Sequence, residues 1–200
     1  LIAMVEDQLE SKGYCLQEGR MNIIDAILVK SHTRPRSGNP DYLKQREPDA
    51  ETIRRGNKLH CGYKLHMGLD AETGLIRTLK LTGSRRNDVN ELLSVIPPGT
   101  RTIYADKGYH SASNRMGLKD LNIEDRIMYR ASRGHPLTLE QREFNQEIIP
   151  IRSAIERKFG KLKLWHRLGR AVYRGLNRVY RQMVLTALAV NLKRCVALCT

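Results

Sequence analysis

Asp25 stands in the middle of Met21-Asn-Ile-Ile-Asp-Ala-Ile-Leu-Val-Lys30, a nearly continuous apolar, β-branched run. Such a run predicts a strand covered on both faces. An isolated charge there is costly, so the aspartate must be paired, protonated or bound to metal; a hydrogen-bonding structural aspartate is the plainer alternative. Asp106 ends Thr100-Arg-Thr-Ile-Tyr-Ala-Asp106 and runs into Lys107-Gly-Tyr-His-Ser111. An acid at the carboxyl end of a strand, ahead of a glycine turn and a helix, is where open α/β sheets place their sites. Glu156 belongs to IRSAIERKFGKLKL, residues 151–164. On a helical wheel of about 100° per residue, Arg152 falls at about −40° and Lys163 at about −20° from Glu156. One carboxylate and two cations therefore share a narrow face. Ile151, Ile155, Phe159 and Leu162 make the adjacent core face. This pattern suits metal and phosphate bound together; a solvated helix with an i,i+4 Arg–Glu pair is the other reading. Three acids from separate elements can hold two Mg²⁺ or Mn²⁺ ions about 3.5–4 Å apart for in-line phosphoryl transfer. Oxygen-only ligands select these ions rather than zinc.

The elements that must carry these residues are legible in outline. Residues 1–12 have helical spacing, with Ile2, Val5 and Leu9 on one side. Ser31 to Asn57 is long, polar and basic, and predicts a phosphate-contacting loop or a disordered insertion. Cys61 to Leu69 and Leu75 to Thr82 alternate as paired strands around an Asp70-Ala-Glu-Thr-Gly74 turn. His60 and His66 read as strand or loop residues rather than ligands. Asp88 to Ile96 reads as a helix with an acid in its first turn. Ser111 or Ser113 caps a helix through Leu121, and Arg126 to Tyr129 is a short strand. Thr138-Leu-Glu-Gln141 is a capping box for a further helix. Pro150 then starts the Glu156 helix, where proline is tolerated. Leu176 to Cys199 is an amphipathic closing helix.

Composition narrows the partners. The net charge is +14, and residues 151–200 hold 12 Lys/Arg against a single acid, Glu156. A polyanion is the expected partner. The arginine row at 167, 170 and 174 is either a solvated face or a surface that tracks phosphates. None of the four cysteines, Cys15, Cys61, Cys195 and Cys199, forms a Cys-x-x-Cys pair, which fits a reduced, cytoplasmic protein. The apolar run Met183–Val190 is too short for a bilayer, so no membrane association is expected.

These motifs resemble bacterial insertion-sequence transposases of the DDE type, in the insertion-sequence-five and insertion-sequence-four-like groups. IIDAIL carries the first family aspartate at Asp25, and YADKGYHS carries the second at Asp106. Arg152, Glu156 and Lys163 match the family's Tyr, Arg, Glu, Lys signature in spacing, with Ile149 in place of the tyrosine. GYKLHMGLDAETGLI and GSRRNDV look like the segments that link the two aspartates. The resemblance implies an α/β, RNase H-like mixed five-stranded sheet flanked by helices. It implies Asp25, Asp106 and Glu156 as catalytic metal ligands for two Mg²⁺ or Mn²⁺ ions. The cations expected at double-stranded DNA are Arg152, Lys163 and Lys107, with Arg36, Lys158, Arg167 and Arg170 beside them. Arg152 would orient Glu156. Residues 1–20 are expected as a helical remnant of a shortened N-terminal segment. Residues 21–165 make the catalytic domain, with 31–57 its basic loop, and 166–200 a basic segment and a helix packed on it. The expected activity is metal-dependent cleavage at element ends and strand transfer, by a homodimer on DNA in the bacterial cytoplasm, associated with the nucleoid. Two rivals remain: a catalytically silent remnant that only binds DNA, and a basic nucleic-acid binder whose acids are accidental.

Overall fold

The computed structural model describes residues 2–11, 20–33 and 45–199. Arg36 and Cys15 lie outside them. Helix α1 spans Ile2–Ser11. The strands are β1 Met21–Lys30, β2 Glu51–Arg55, β3 Lys58–Asp70, β4 Ile76–Gly83, β5 Thr102–Ala105 and β6 Glu124–Ile127. Helices α2 Ala112–Asp120, α3 Leu139–Trp165 and α4 Leu176–Cys199 complete the fold. Strand β1 pairs antiparallel with β3 and parallel with β5, and β5 pairs parallel with β6. The other edge of β3 serves two partners in succession. Residues 58–62 pair with β2 and residues 63–69 with β4. The order β4-β3-β1-β5-β6, antiparallel on one side of β1 and parallel on the other, is the RNase H-like arrangement.

The sheet has six strands rather than five. The additional one, β2, lies inside the segment read as loop. Its residues Glu-Thr-Ile-Arg-Arg hold one aliphatic side chain, so the polarity of an edge strand looks like that of a loop. Asp88 to Ile96 forms two short 3₁₀ turns, Asp88–Asn90 and Leu93–Val95, not a helix. No side chain caps the first turn, and the Pro97-Pro98 pair blocks extension. Pro150 lies inside α3 rather than at its start. The capping box at Thr138 starts the helix twelve residues earlier, with the Thr138 side chain accepting from Gln141 N. Burial of Asn145, Ile148, Arg152 and Ile155 on either side holds the helix together through the proline.

Each face of the sheet has its own core. On one, Ile23, Ile27, Leu65 and Met67 pack against Ile155, Phe159 and Leu162 of α3 and Val179, Met183 and Ala187 of α4. On the other, Ile24, Ile103 and Ala105 meet Leu92, Val95, Tyr109 and Leu118. Helix α4 is tied to the sheet edge by Asn191, which is buried. Its Oδ1 accepts from Ile76 N at 2.9 Å and its Nδ2 donates to Ile76 O at 2.8 Å. The segment after α3 returns to β1, with Lys30 N donating to Gly169 O and Ala171 N to Lys30 O. Among the described residues, no helix is long and apolar enough to cross a membrane.

Candidate active site

The three acids come from three elements, and one guanidinium joins them. Asp25 is the fifth residue of β1, opposite Met67 on β3. Its other neighbour, β5, pairs with β1 only as far as Ala105 opposite Ile24, so β1 has an open flank at Asp25. Asp106 follows β5 directly and caps the turn Lys107–Tyr109, accepting from Lys107 N at 2.7 Å. Ser111 then caps α2 by accepting from Asn114 N. Glu156 projects from α3 and is 64% exposed.

Arg152, one turn before Glu156, is only 9% exposed. Its Nη2 lies 3.3 Å from Asp25 Oδ2 and 3.8 Å from Glu156 Oε1, and its Nη1 lies 3.5 Å from Asp106 Oδ1. The same Nη1 donates to Met128 Sδ at 3.7 Å. The sequence pattern places Arg152 on a charged face beside Glu156; the structure makes it the counter-charge of all three acids.

Burial pushes the Asp25 carboxyl up to about 6. The Ala26 amide, which donates to Asp25 Oδ1 at 2.8 Å, and Arg152 pull it down, while Asp106 and Asp88 push it further up. A raised carboxyl favours the fold at low pH, and that contribution is lost as pH rises from 3.8 through about 6. Asp25→Asn is therefore expected to raise the melting temperature at pH 8 and to lose that advantage near pH 4. The ceiling on the gain is about 3 kcal/mol at roughly 1.4 kcal/mol per pKa unit. Thermal melts of both proteins across this range check it; an equal difference at pH 4 and pH 8 would contradict the assignment.

The donor set fits a hard divalent cation. It is carboxylate oxygen only, it already gathers around a positive group, and its most buried member is held far from its ordinary state. As the side chains stand, the acids meet on the guanidinium, and among the described residues no three His, Cys, Asp or Glu stand close enough to hold one ion together.

The cations fall into two sets. Lys107, Lys163 and Arg167 are exposed, Lys107 next to Asp106 and the other two at the end of α3. Arg170 is half-buried, and its backbone bridges Lys30 of β1. Lys158 turns inward. Its Nζ donates to Gly74 O at 2.8 Å, and burial pulls its ammonium down to about 8. That places it at the β3–β4 turn rather than beside the three acids.

Other buried polar groups, gathered at Asp88, carry no signal in the sequence. Lys64 and His66 of β3 are buried, and both approach Asp88: Lys64 Nζ lies 3.0 Å and His66 Nδ1 4.0 Å from Asp88 Oδ1. Tyr109 is 1% exposed. The alternation of β3 predicts which residues share a face, but no spacing rule brings residues 64, 66, 88 and 109 to one place.

The family model described as "Transposase DDE domain" matches residues 17–192. A transposase for insertion sequence element IS1106 from Neisseria meningitidis serogroup B is 32% identical over 205 residues, covering 96% of this chain and 70% of that protein. Among solved structures, the Mos1 strand transfer complex matches 98% of this chain with a TM-score of 0.35 and 13% identity. A large terminase nuclease from thermophilic phage G20c, with bound zinc, matches 80% of this chain and 91% of that one, with a TM-score of 0.24 and 15% identity. This chain spans 59% of the length of the Mos1 chain.

Proposed function

Because this chain belongs to the DDE transposase family of bacterial insertion sequences, we propose that its α/β sheet carries a metal-dependent centre for DNA cleavage at element ends and for strand transfer. One observation carries the reading: acids from β1, from the end of β5 and from α3 meet on Arg152 within 3.3–3.8 Å. Asp25, Asp106 and Glu156 would hold two Mg²⁺ or Mn²⁺ ions. When bound, such ions activate a water or 3′-hydroxyl nucleophile and stabilise the leaving oxygen.

The chain's own residues do the positioning. Asp25 is fixed by strand pairing on β1, and Asp106 by the turn that it caps. Glu156, exposed on α3, is free to adjust as DNA arrives. Lys107, Lys163 and Arg167 face solvent, where they can contact phosphates without desolvation. A cleft of about 500 Å³ lined by His110 and residues 130–133 opens beside the Asp106 turn and brings Arg130 and Arg133 to its walls. Double-stranded DNA is the partner, engaged by two copies that bring two ends together in the bacterial cytoplasm, on the nucleoid.

A silent DNA-binding remnant is the second reading. It is favoured by the buried arginine among the acids and by the absence, among the described residues, of a ready three-ligand cluster. Calorimetric titration of the chain with Mn²⁺, alongside Asp106→Asn and with duplex DNA present, separates the two. Binding by wild type that Asp106→Asn loses supports the catalytic reading. Salt-sensitive DNA binding by both proteins, with no metal uptake by either, establishes the remnant.

A further inference from the structure

Strand β3 reaches past the body of the sheet. Its ladder with β1 ends at Gly62 opposite Lys30, and its ladder with β4 ends at Tyr63 opposite Gly83. Beyond that point residues 58–61 pair with residues 52–55 of β2, the outer strand. A tight turn with Gly56 at φ +55 joins the two strands. The result is a two-stranded ribbon standing out from the sheet. Gly62 marks its root: it has φ +152, and a side chain there would run into Val29 O. Only glycine lets the ribbon and β1 pass so closely.

The root is braced. Ser31 N donates to Cys61 O at 2.9 Å, and Thr52 Oγ1 lies 3.0 Å from Cys61 Sγ. From the turn after β4, Ser84 Oγ donates to Glu51 O at 2.8 Å. Arg85 N donates to Glu51 Oε2 at 2.8 Å, and Arg85 Nε to Thr52 O at 3.0 Å. A fixed root holds the tip in place before any partner arrives. At the tip, Arg54 stands opposite Leu59 on one face, and Lys58 belongs to the next pair, on the other face. Arg54 and Lys58 are exposed, and Leu59 is 71% exposed.

A ribbon made to lie on one charged surface needs cations on one face. Cations on both faces suit a slot with phosphates on either side. The major groove of B-DNA, about 12 Å wide, admits a two-stranded β-ribbon, and its thymine methyls take apolar contacts. A second copy of this chain carries the same +14 and would bring like charge to the tip. The reach also fits. From Asp25 to Lys30, and on from Gly62 to Lys58, the strands advance about 30 Å at roughly 3.3 Å per residue. One turn of duplex measures about 34–36 Å. A duplex lying along β1 with a phosphate at Asp25 meets the tip about one turn away.

We propose that the β2–β3 ribbon is a DNA-binding arm that enters the major groove, with Arg54 and Lys58 toward the phosphates of its two walls and Leu59 toward the base edges. The inference rests on the DNA-binding reading above and extends it from surface cations to an element that occupies a groove.

The test is binding of the full chain to a fluorescent mixed-sequence duplex across a salt series. Wild type is compared with the double variant Arg54→Gln/Lys58→Gln and with Arg101→Gln/Lys119→Gln, which removes the same charge from exposed positions ahead of β5 and on α2. Two lost phosphate contacts are expected to flatten the slope of log affinity against log salt by about two and to weaken binding roughly tenfold or more near 0.15 M salt. The control pair should stay close to wild type. A second duplex, with glucosylated hydroxymethylcytosine in place of cytosine, fills the major groove and leaves the phosphates unchanged. Wild type is expected to bind it about as weakly as the ribbon variant binds the plain duplex, and the ribbon variant to bind both duplexes alike. Equal binding of both duplexes by wild type overturns groove entry without recourse to any variant. An unchanged salt slope in the ribbon variant, or an equal loss in the control pair, overturns the arm and leaves DNA binding standing. A changed oligomeric state at unchanged DNA affinity assigns the ribbon to a second copy and overturns the inference as well. No duplex binding by wild type overturns the DNA-binding reading itself, and the arm with it.

Discussion

Glu156→Gln is expected to lower metal-dependent cleavage roughly a thousandfold or more while leaving duplex binding within about twofold of wild type. A metal ligand contributes several kcal/mol of transition-state charge stabilisation, and about 1.4 kcal/mol is a factor of ten in rate. The substitution is clean for structural reasons. Glu156 is 64% exposed, and among the described residues it pairs with Arg152 alone, an i,i+4 contact at 3.8 Å. An i,i+4 helical pair contributes a few tenths of a kcal/mol, and the Glu156 end of this one is in solvent, so the fold barely registers the loss. No cation is removed, so the number of phosphates neutralised is unchanged. The slope of log affinity against log salt should then match that of wild type. Cleavage of end-bearing DNA in Mn²⁺, measured beside a salt series of binding, gives both numbers. Undiminished cleavage would remove Glu156 from the metal set. A parallel loss of binding would instead make it a structural residue.

The sequence made the acids legible because each breaks a local rule. Asp25 interrupts an apolar run that has no other reason to hold a charge. Asp106 stands where a strand ends and a glycine turn begins, and Glu156 borders the apolar stripe of its helix. Strand β1, the β3–β4 hairpin, α2 with its Ser111 cap and α4 follow from periodicity and cap chemistry, which are local. What stayed hidden is not local. Helical spacing puts Arg152 beside Glu156 but cannot say that the helix face turns inward over β1. That depends on Ile155, Phe159 and Leu162 finding the strand face of Ile23 and Ile27. Strand β2 was hidden by its polarity, and α3 by the expectation that Pro150 marks a start. Asp88, Tyr109 and Lys64 are ordinary residues in sequence and become a group only through the sheet register and the two turns that Asn114 fastens.

Arg152→Met should show the opposite profile to Glu156→Gln, a large loss of stability that pH and metal both repair. Methionine keeps much of the length and apolar body of the side chain, so the change isolates charge from packing. Breaking one side of a buried ion pair typically costs 3–5 kcal/mol, and here three carboxylates lose the same partner. At roughly 2–4 °C per kcal/mol for a chain of this size, a deficit of about 6–20 °C is expected at pH 8. The sign of the pH dependence follows from Asp25. Its carboxyl is already raised to about 6, and Arg152 is one of the groups holding it down. Without the guanidinium its folded value rises further, so the variant goes on losing stability above the pH at which wild type has levelled off. Below about pH 5 Asp25 is mostly protonated in both proteins, and the deficit should shrink. Mn²⁺ supplies the missing charge from outside; at a hundred times its dissociation constant it restores about 2.7 kcal/mol. Thermal melts at pH 5 and pH 8, with and without Mn²⁺, measure each part. A deficit equal at both pH values would assign the loss to packing against Met128 and remove Arg152 as the counter-charge. Failure of Mn²⁺ to raise the melting temperature would mean that the acids gather for the arginine alone, which is the arrangement of a protein that binds DNA without cutting it.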